Sequence, residues 1–321
     1  MSPVAAEADV ARGGTGRDIR PGRKTPRMTV AVVDIGSNTG RLLVARRGGP
    51  AAVVAVRNER TVLGLGDEIE RTGTISREKL EQTVACARRY ATLARAHGAT
   101  HIDVIVTAPG RQSANAEELV AGLSHVTGVP ARVLSAEDEG RYAFEGATAG
   151  VRGLELPVAV CDVGGGSTEL AVGSPDRTPD DLLSIDIGSL RLTSRVLKGD
   201  PPSRRSVELA VDVVRDHLGD LEGLRPATAF ATGGSARAAR KLVGRNLDER
   251  RLDRAVRIIA RGPTDRLADT YGIDVERAHV LLAGVLILRE VQAILGVPLV
   301  VARGGLREGL ADLLLAERSA A

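Results

Sequence analysis

The sequence predicts an α/β protein built from two lobes that share a cleft, and three observations predict it. The segment 31–45, AVVDIGSNTGRLLVA, recurs in register 128 positions later as 159–173, AVCDVGGGSTELAVG. Under that shift Ala31, Val32, Asp34, Gly36, Leu42 and Val44 fall on Ala159, Val160, Asp162, Gly164, Leu170 and Val172. Apolar strand-like runs then alternate with capped helical stretches in both halves. Finally, 321 residues with 43% apolar content suffice for two ordinary domains, and no low-complexity linker divides them.

Each repeat reads strand, polar turn, strand. In the second copy three consecutive glycines remove every Cβ, so backbone N–H groups can approach an anion closely. Asp162 opens that loop and Glu169 closes it. A ring of donors flanked by two carboxylates suits a phosphate whose charge is shared with a divalent metal. Two unrelated hairpins are the alternative, but a plain turn rarely needs both an acid and three glycines. An internal duplication explains the shared register better.

The remaining elements follow in order. Strands are expected over 29–33, 41–46 and 52–56, then a turn-rich loop over 64–73. Ser76 caps a helix that runs to about His97. A strand over 102–106 leads into a loop over 107–115, a helix to about His125, and a strand over 131–134. Ser135 caps the next helix, with Asp138 in the capping-box position. Residues 150–157 read as the hinge. After the second hairpin come a strand over 182–187, helices starting near Gly188 and Ser203, and a strand over 227–231 that ends in Thr232-Gly233-Gly234-Ser235, a phosphate-type turn before a helix. One long apolar helix over 275–295, a strand over 299–302 and a final helix opened by GGLREG complete the chain. The expected division is a basic, disordered tail over 1–27, a first lobe over 28–150 and a second over 151–321, with the helix over 304–317 packing back on the first. Met28 is a candidate initiator.

Composition excludes several classes. Residues 1–27 carry six of the 44 Lys/Arg and three of the 41 Asp/Glu, so the rest holds 38 of each and is neutral. The pI of 9.1 therefore belongs to the tail and gives no argument for nucleic acid. Aromatic residues are 2% of the chain with no Trp, too few to build base-stacking platforms. Cys86 and Cys161 lack metal or redox spacing and read as small buried core residues in a reducing cytoplasm. The five histidines form no ligand pattern, the start lacks a signal-peptide centre, and no apolar run is long enough to span a bilayer.

With both hairpins placed, the chain resembles the exopolyphosphatase / guanosine pentaphosphate phosphatase (Ppx/GppA) family. The residues that carry the resemblance are DIGSNTGRLLV (34–44), the segment 107–115, LSAEDEGRYAF (134–144), DVGGGSTEL (162–170), IGSLRLT (187–193), ATGGS (231–235) and GGLREG (304–309). Each alone is weak; all seven in order, over about residues 28–317, are strong, and DVGGGSTE with the downstream LREG is close to specific for this family. The resemblance implies the actin-like ATPase superfamily, with two RNase H-like lobes around a central cleft. It implies that Glu139 is the base that activates water, and that Arg111 clamps phosphate, with Asn115 four residues on. It assigns Asp34, Asp162 and Glu169 to the metal (Mg2+ or another divalent cation) and the attacking water. Gly36, Ser37, Asn38, Gly164, Gly165, Gly166 and Ser167 match the phosphate loops, and Gly233 and Gly234 the turn that meets the distal substrate. Arg191 and Arg307 either add positive charge or are solvated.

Physical chemistry supports the choice of Glu139. A carboxylate at a helix N-terminus has its pKa depressed, so burial or neighbouring acids such as Glu137 and Asp138 must restore its basicity. A helix start merely decorated with acids is the alternative, and the hairpins weigh against it. The chain departs from the family in three places. Pro109-Gly110 is expected to fix a turn where the family begins a helix and so to shift Arg111. Gly140 stands in place of alanine beside the base and loosens the helix by roughly 1 kcal/mol. The chain stops soon after LREG, without the C-terminal domains that lengthen the substrate channel, so short chains are the expected substrates. The implied activity is exopolyphosphatase, with polyphosphate as partner and neither nucleic acid nor membrane. A guanosine pentaphosphate (pppGpp) 5′-phosphohydrolase acting on guanosine penta- or tetraphosphate is the second reading. A non-catalytic polyphosphate or nucleotide sensor is the third, and a sugar or acetate kinase is a weaker one. The resemblance also admits a homodimer.

Overall fold

The sharing of one strand order between two sheets is the main feature of a computed structural model that describes residues 28–49, 52–221 and 223–317. The basic stretch 1–27 lies outside the described residues. The first half comprises β1 (Thr29–Ile35), β2 (Thr39–Gly49), β3 (Ala52–Val62), α1 (Leu65–Thr72), α2 (Arg77–Ala96), β4 (His101–Val106), α3 (Ala108–Gln112), α4 (Ala116–Thr127), β5 (Ala131–Val133) and α5 (Ala136–Thr148). The second comprises β6 (Val158–Val163), β7 (Thr168–Gly173), β8 (Asp181–Ile185), α6 (Ser189–Arg195), α7 (Arg204–His217), β9 (Thr228–Thr232), α8 (Gly233–Val243), β10 (Asn246–Leu247), α9 (Glu249–Ile259), α10 (Thr264–Tyr271), α11 (Val275–His279), α12 (Leu281–Leu295), β11 (Leu299–Val301) and α13 (Leu306–Glu317).

The first sheet runs β3-β2-β1-β4-β5, and the second runs β8-β7-β6-β9-β11 with β10 added at the edge. In both, the central strand pairs antiparallel with the next strand and parallel with the one beyond. This is the paired RNase H-like arrangement expected of the actin-like class. The duplication holds at the level of register: Asp34 pairs with Arg41 across β1 and β2, and Asp162 with Glu169 across β6 and β7. The central strands are almost fully buried, and each sheet carries an Ala, Val, Leu and Ile core.

Two helices cross between the lobes. α5 packs on β6, β7 and β8, whereas α13, from the chain's end, packs on β1, β2 and β3. The two helices meet through glycines. A Cβ on Gly146 would collide with the Gly305 carbonyl oxygen, and one on Gly309 with that of Tyr142. The two lobes are also tied directly. Glu70 of α1 pairs with Arg191 of α6 at 3.2 Å and with Arg195, Gln112 donates to Asp186 at 2.9 Å, and Arg60 of β3 meets Asp274 at 2.5 Å.

Several local expectations change. The stretch 64–73 is not all loop but contains α1: Leu65 and Ile69 are buried four residues apart, and Gly64 and Gly73 are its left-handed caps. Pro109 does not prevent helix, because it sits in the first turn of α3, where its missing N–H costs nothing. The apolar run 275–295 breaks at Val280 into α11 and α12. Among the described residues no helix is long and apolar enough to cross a membrane.

Candidate active site

Both hairpin turns, the start of α8 and the start of α13 converge on one cavity of about 770 Å³ including its open mouth. Gly36, Ser37 and Asn38 come from the first hairpin, and Gly164, Gly165, Gly166 and Ser167 from the second. Gly233 and Gly234 enter from α8, and Arg307 from α13. All nine expected phosphate-loop residues therefore line the same cavity. Ser37 Oγ and Asn38 Nδ2 are buried there without a hydrogen-bond partner, which leaves two donors aimed at an anion. Gly233 is required twice over. Its φ is +85°, and a Cβ would stand 2.6 Å from Asp162 Oδ1.

Glu139 lines this cavity from the first turn of α5 and is 7% exposed. Ser135 Oγ accepts from the Asp138 N–H at 3.0 Å, but the Asp138 carboxylate accepts from Arg141 at 2.6 Å, so only half of the capping box forms. Burial pushes the Glu139 carboxyl well above the usual carboxylate range, and the charge of Glu169 pushes it further. The helper is thus Glu169 from β7; Glu137 is exposed and Asp138 is occupied by Arg141. Burial likewise raises Glu169 to about 7, against hydrogen bonding by Ser167. Its Oε2 is buried without a partner, and its Oε1 accepts from Ser184 at 3.3 Å.

Arg111 does not line the cavity as a clamp would. Its Nη1 bonds Glu139 Oε2 at 2.8 Å and the Leu134 carbonyl at 2.8 Å, while Nη2 lies 3.6 Å from Glu169 Oε1 and 3.4 Å from Ser167 Oγ. It joins Glu139, Glu169 and the loop residue Ser167 in one cluster. Asn115 is also remote, bonded through both side-chain atoms to the Ile75 backbone. Arg191 is spent on Glu70 and Asp186 between the lobes.

The three acids assigned to metal separate into two places. Asp34 and Asp162 face the cavity, each raised by burial, and Asp34 senses the charge of Asp162. Glu169 stands behind with Arg111. Among the described residues no group of three or more His, Cys, Asp or Glu is arranged to hold a metal. The Asp34–Asp162 pair fits a hard divalent cation whose other ligands are phosphate oxygens and water, as Mg2+ prefers.

Sequence reasoning missed most of the positive charge. Arg41, Arg237, Arg277 and Arg307 all line the cavity. Burial lowers the pKa of Arg41, Arg237 and Arg277, that of Arg277 to about 10, and the arginines depress one another. One signal was available. Arg41 occupies the position that Glu169 holds in the second repeat, so the first copy exchanged an acid for a cation. Asp34, Asp162 and Glu308 share the cavity and offset part of that charge, and a bound anion would offset more of the cost of burying four arginines.

Comparisons with known proteins agree with this geometry. The pattern of the Ppx/GppA phosphatase family matches residues 43–317. Exopolyphosphatase 1 of Mycobacterium leprae is 30% identical over 88% of this chain and 88% of its own. Exopolyphosphatase 2 of Mycobacterium tuberculosis is 32% identical over 59% of this chain and 61% of its own. Among solved structures, an exopolyphosphatase-like protein superposes with a TM-score of 0.81 at 25% identity, covering 92% of this chain and all of that one. The Aquifex aeolicus member of the Ppx/GppA family superposes with a TM-score of 0.75 at 25% identity, covering 92% and 99%.

Proposed function

Because the chain belongs to the Ppx/GppA phosphatase family, we propose that it releases orthophosphate from the end of linear polyphosphate by in-line attack of water. It is a hydrolase of phosphoric anhydride bonds. The observation that carries the mechanism is the position of Glu139: its carboxyl shares one cavity with both glycine loops, and its basicity is raised by burial and by Glu169.

In this reading the terminal phosphoryl group sits against Gly164, Gly165, Gly166 and Ser167, and the next groups pass Ser37 and Asn38 towards Arg41, Arg237, Arg277 and Arg307. Glu139 orients the water and takes its proton, while Arg111 fixes the carboxylate in place. A divalent cation held by Asp34 and Asp162 would supply charge neutralisation on the phosphoryl oxygens. Among the described residues no aromatic side chain lines the cavity to stack a base, which favours polyphosphate over pppGpp. A sensor would need no buried base beside its ligand. Short chains are the preferred substrates in this reading. The same proposal places the protein in a reducing cytoplasm, where the buried Cys86 and Cys161 stay free thiols.

The test supplies purified protein and magnesium with polyphosphate of defined lengths, pppGpp and ATP, and counts released phosphate. Release chiefly from polyphosphate is expected. Release chiefly from pppGpp would make the second reading correct, and binding without any release would make the protein a sensor.

A further inference from the structure

Each glycine turn of the cavity gives its carbonyls to the start of a helix. In the first turn, Ser37 O accepts from the Gly66 N–H at 2.8 Å, and Asn38 O accepts from Leu63 at 2.9 Å and Gly64 at 3.2 Å, in the segment that opens α1. In the second, Gly164 O accepts from the Ser189 N–H at 2.9 Å, and Gly165 O accepts from Leu190 at 2.9 Å and Arg191 at 3.1 Å, the opening residues of α6. Ser37 and Gly165 are equivalent under the 128-residue shift. So are the bonds that close the turns, from Gly36 N–H to Thr39 O and from Gly164 N–H to Ser167 O, each 3.0 Å. The device is thus duplicated along with the hairpins. A carbonyl oxygen aimed at a phosphate repels it, so donors that occupy these carbonyls favour the site. The helices α1 and α6 belong to different lobes, and they meet. Glu70 of α1 pairs with Arg191 at 3.2 Å and with Arg195, and Asp67 accepts from Ser194. A Cβ on Gly66 would stand 2.6 Å from Leu190 Cδ2 and 3.0 Å from Ser37 Cβ. The turns touch as well, since a Cβ on Gly166 would stand 2.6 Å from Ser37 Oγ. The side chains of Arg191 and Glu70 are 9% and 19% exposed, against 93% and 62% for the surface pair Arg204–Glu208. Shielding from water makes the first pair the stronger constraint.

We infer that Glu70 is a positioning residue of the phosphate site. Through Arg191 and α6 it holds the second glycine turn against the first, so that linked phosphoryl groups can bridge both. This deepens the polyphosphate reading above and rests on it. Glu70 does not line the cavity. Its charge also has the wrong sign for direct help, because an acid near an anion site opposes binding. Its removal weakens binding through the turns although Coulomb attraction alone would tighten it, and that sign separates positioning from simple electrostatics. Ligand length separates it from general disruption: orthophosphate needs only the second turn, whereas tripolyphosphate reaches both.

The test measures binding of tripolyphosphate and of orthophosphate to the Glu139→Gln protein, with and without Glu70→Gln, by calorimetry. Tripolyphosphate affinity should fall about tenfold, with orthophosphate affinity unchanged. In the active protein, Glu70→Gln should raise KM for tripolyphosphate more than it lowers kcat. Unchanged or tighter tripolyphosphate binding overturns the inference, and so does an equal loss for both ligands. Asp67→Ala, on the exposed side of the same contact, decides the matter if Glu70→Gln does not fold: it should weaken tripolyphosphate binding in the same sense, and an unchanged affinity overturns the inference. If wild type binds tripolyphosphate without hydrolysing it, the functional reading falls, and the affinity comparison still decides the role of Glu70.

Discussion

Arg111 is the residue whose role the coordinates change most. As a clamp it would contact phosphate; in place it bonds Glu139 at 2.8 Å and stands near Glu169. Its charge lowers the Glu139 pKa against burial. Arg111→Ala should therefore raise that pKa. The base must be unprotonated to accept a proton from water, so the acid limb of the kcat/KM profile should move to higher pH by about one unit or more. Much of the activity should return at alkaline pH. A clamp would give a different result, a loss at every pH with a raised KM. Glu139, Asp34, Asp162 and the glycine loops were legible because each is a residue type with few other uses in that setting. The arginines of the cavity were not, because a lone arginine in a sequence looks the same whether solvated or buried. Only the register of the two repeats singles out Arg41.

At the scale of elements, α5 positions the chemistry, and a glycine within it and one on α13 facing it have opposite meanings. A Cβ on Gly140 would meet nothing closer than Leu182 Cδ2 at 3.4 Å, an ordinary contact. Gly140→Ala should stabilise the protein by up to about 1 kcal/mol without loss of activity. Gly309→Ala should destabilise it by about 1–3 kcal/mol, since the added methyl meets the α5 backbone. Chemical denaturation of both variants checks the pair. Most strands and the Ser76- and Ser135-capped helices could be read from periodicity and caps. The sequence pattern alone did not reveal α1, because two flanking glycines resemble a loop whether they end strands or cap a helix. Nor did it resolve the region that holds β10, α9 and α10, although Leu252, Ala255 and Ile259 recur there at helical spacing. The crossing of α5 and α13 onto opposite sheets depends on contacts between distant segments, which local pattern does not encode.

For the whole molecule, the cavity's buried cations are a strain that a polyanion relieves. Arg41, Arg237 and Arg277 are each depressed by burial and by one another. Polyphosphate should therefore raise the Tm of the Glu139→Gln protein, with about 2.7 kcal/mol gained at a hundredfold excess over Kd. Orthophosphate, which cannot reach all four arginines, should raise it far less. Equal shifts for both would mean that the arginines do not act together.

The central claim is that Glu139 readies a water molecule for attack on the terminal phosphoryl group held between the two lobes. Its most direct test is hydrolysis of polyphosphate in 18O-labelled water by wild type and Glu139→Gln. Wild type should release orthophosphate carrying one solvent oxygen, and the variant should bind the polymer yet release phosphate at least a hundredfold more slowly, on the order expected for loss of a general base. Undiminished release of labelled phosphate by Glu139→Gln would contradict the account.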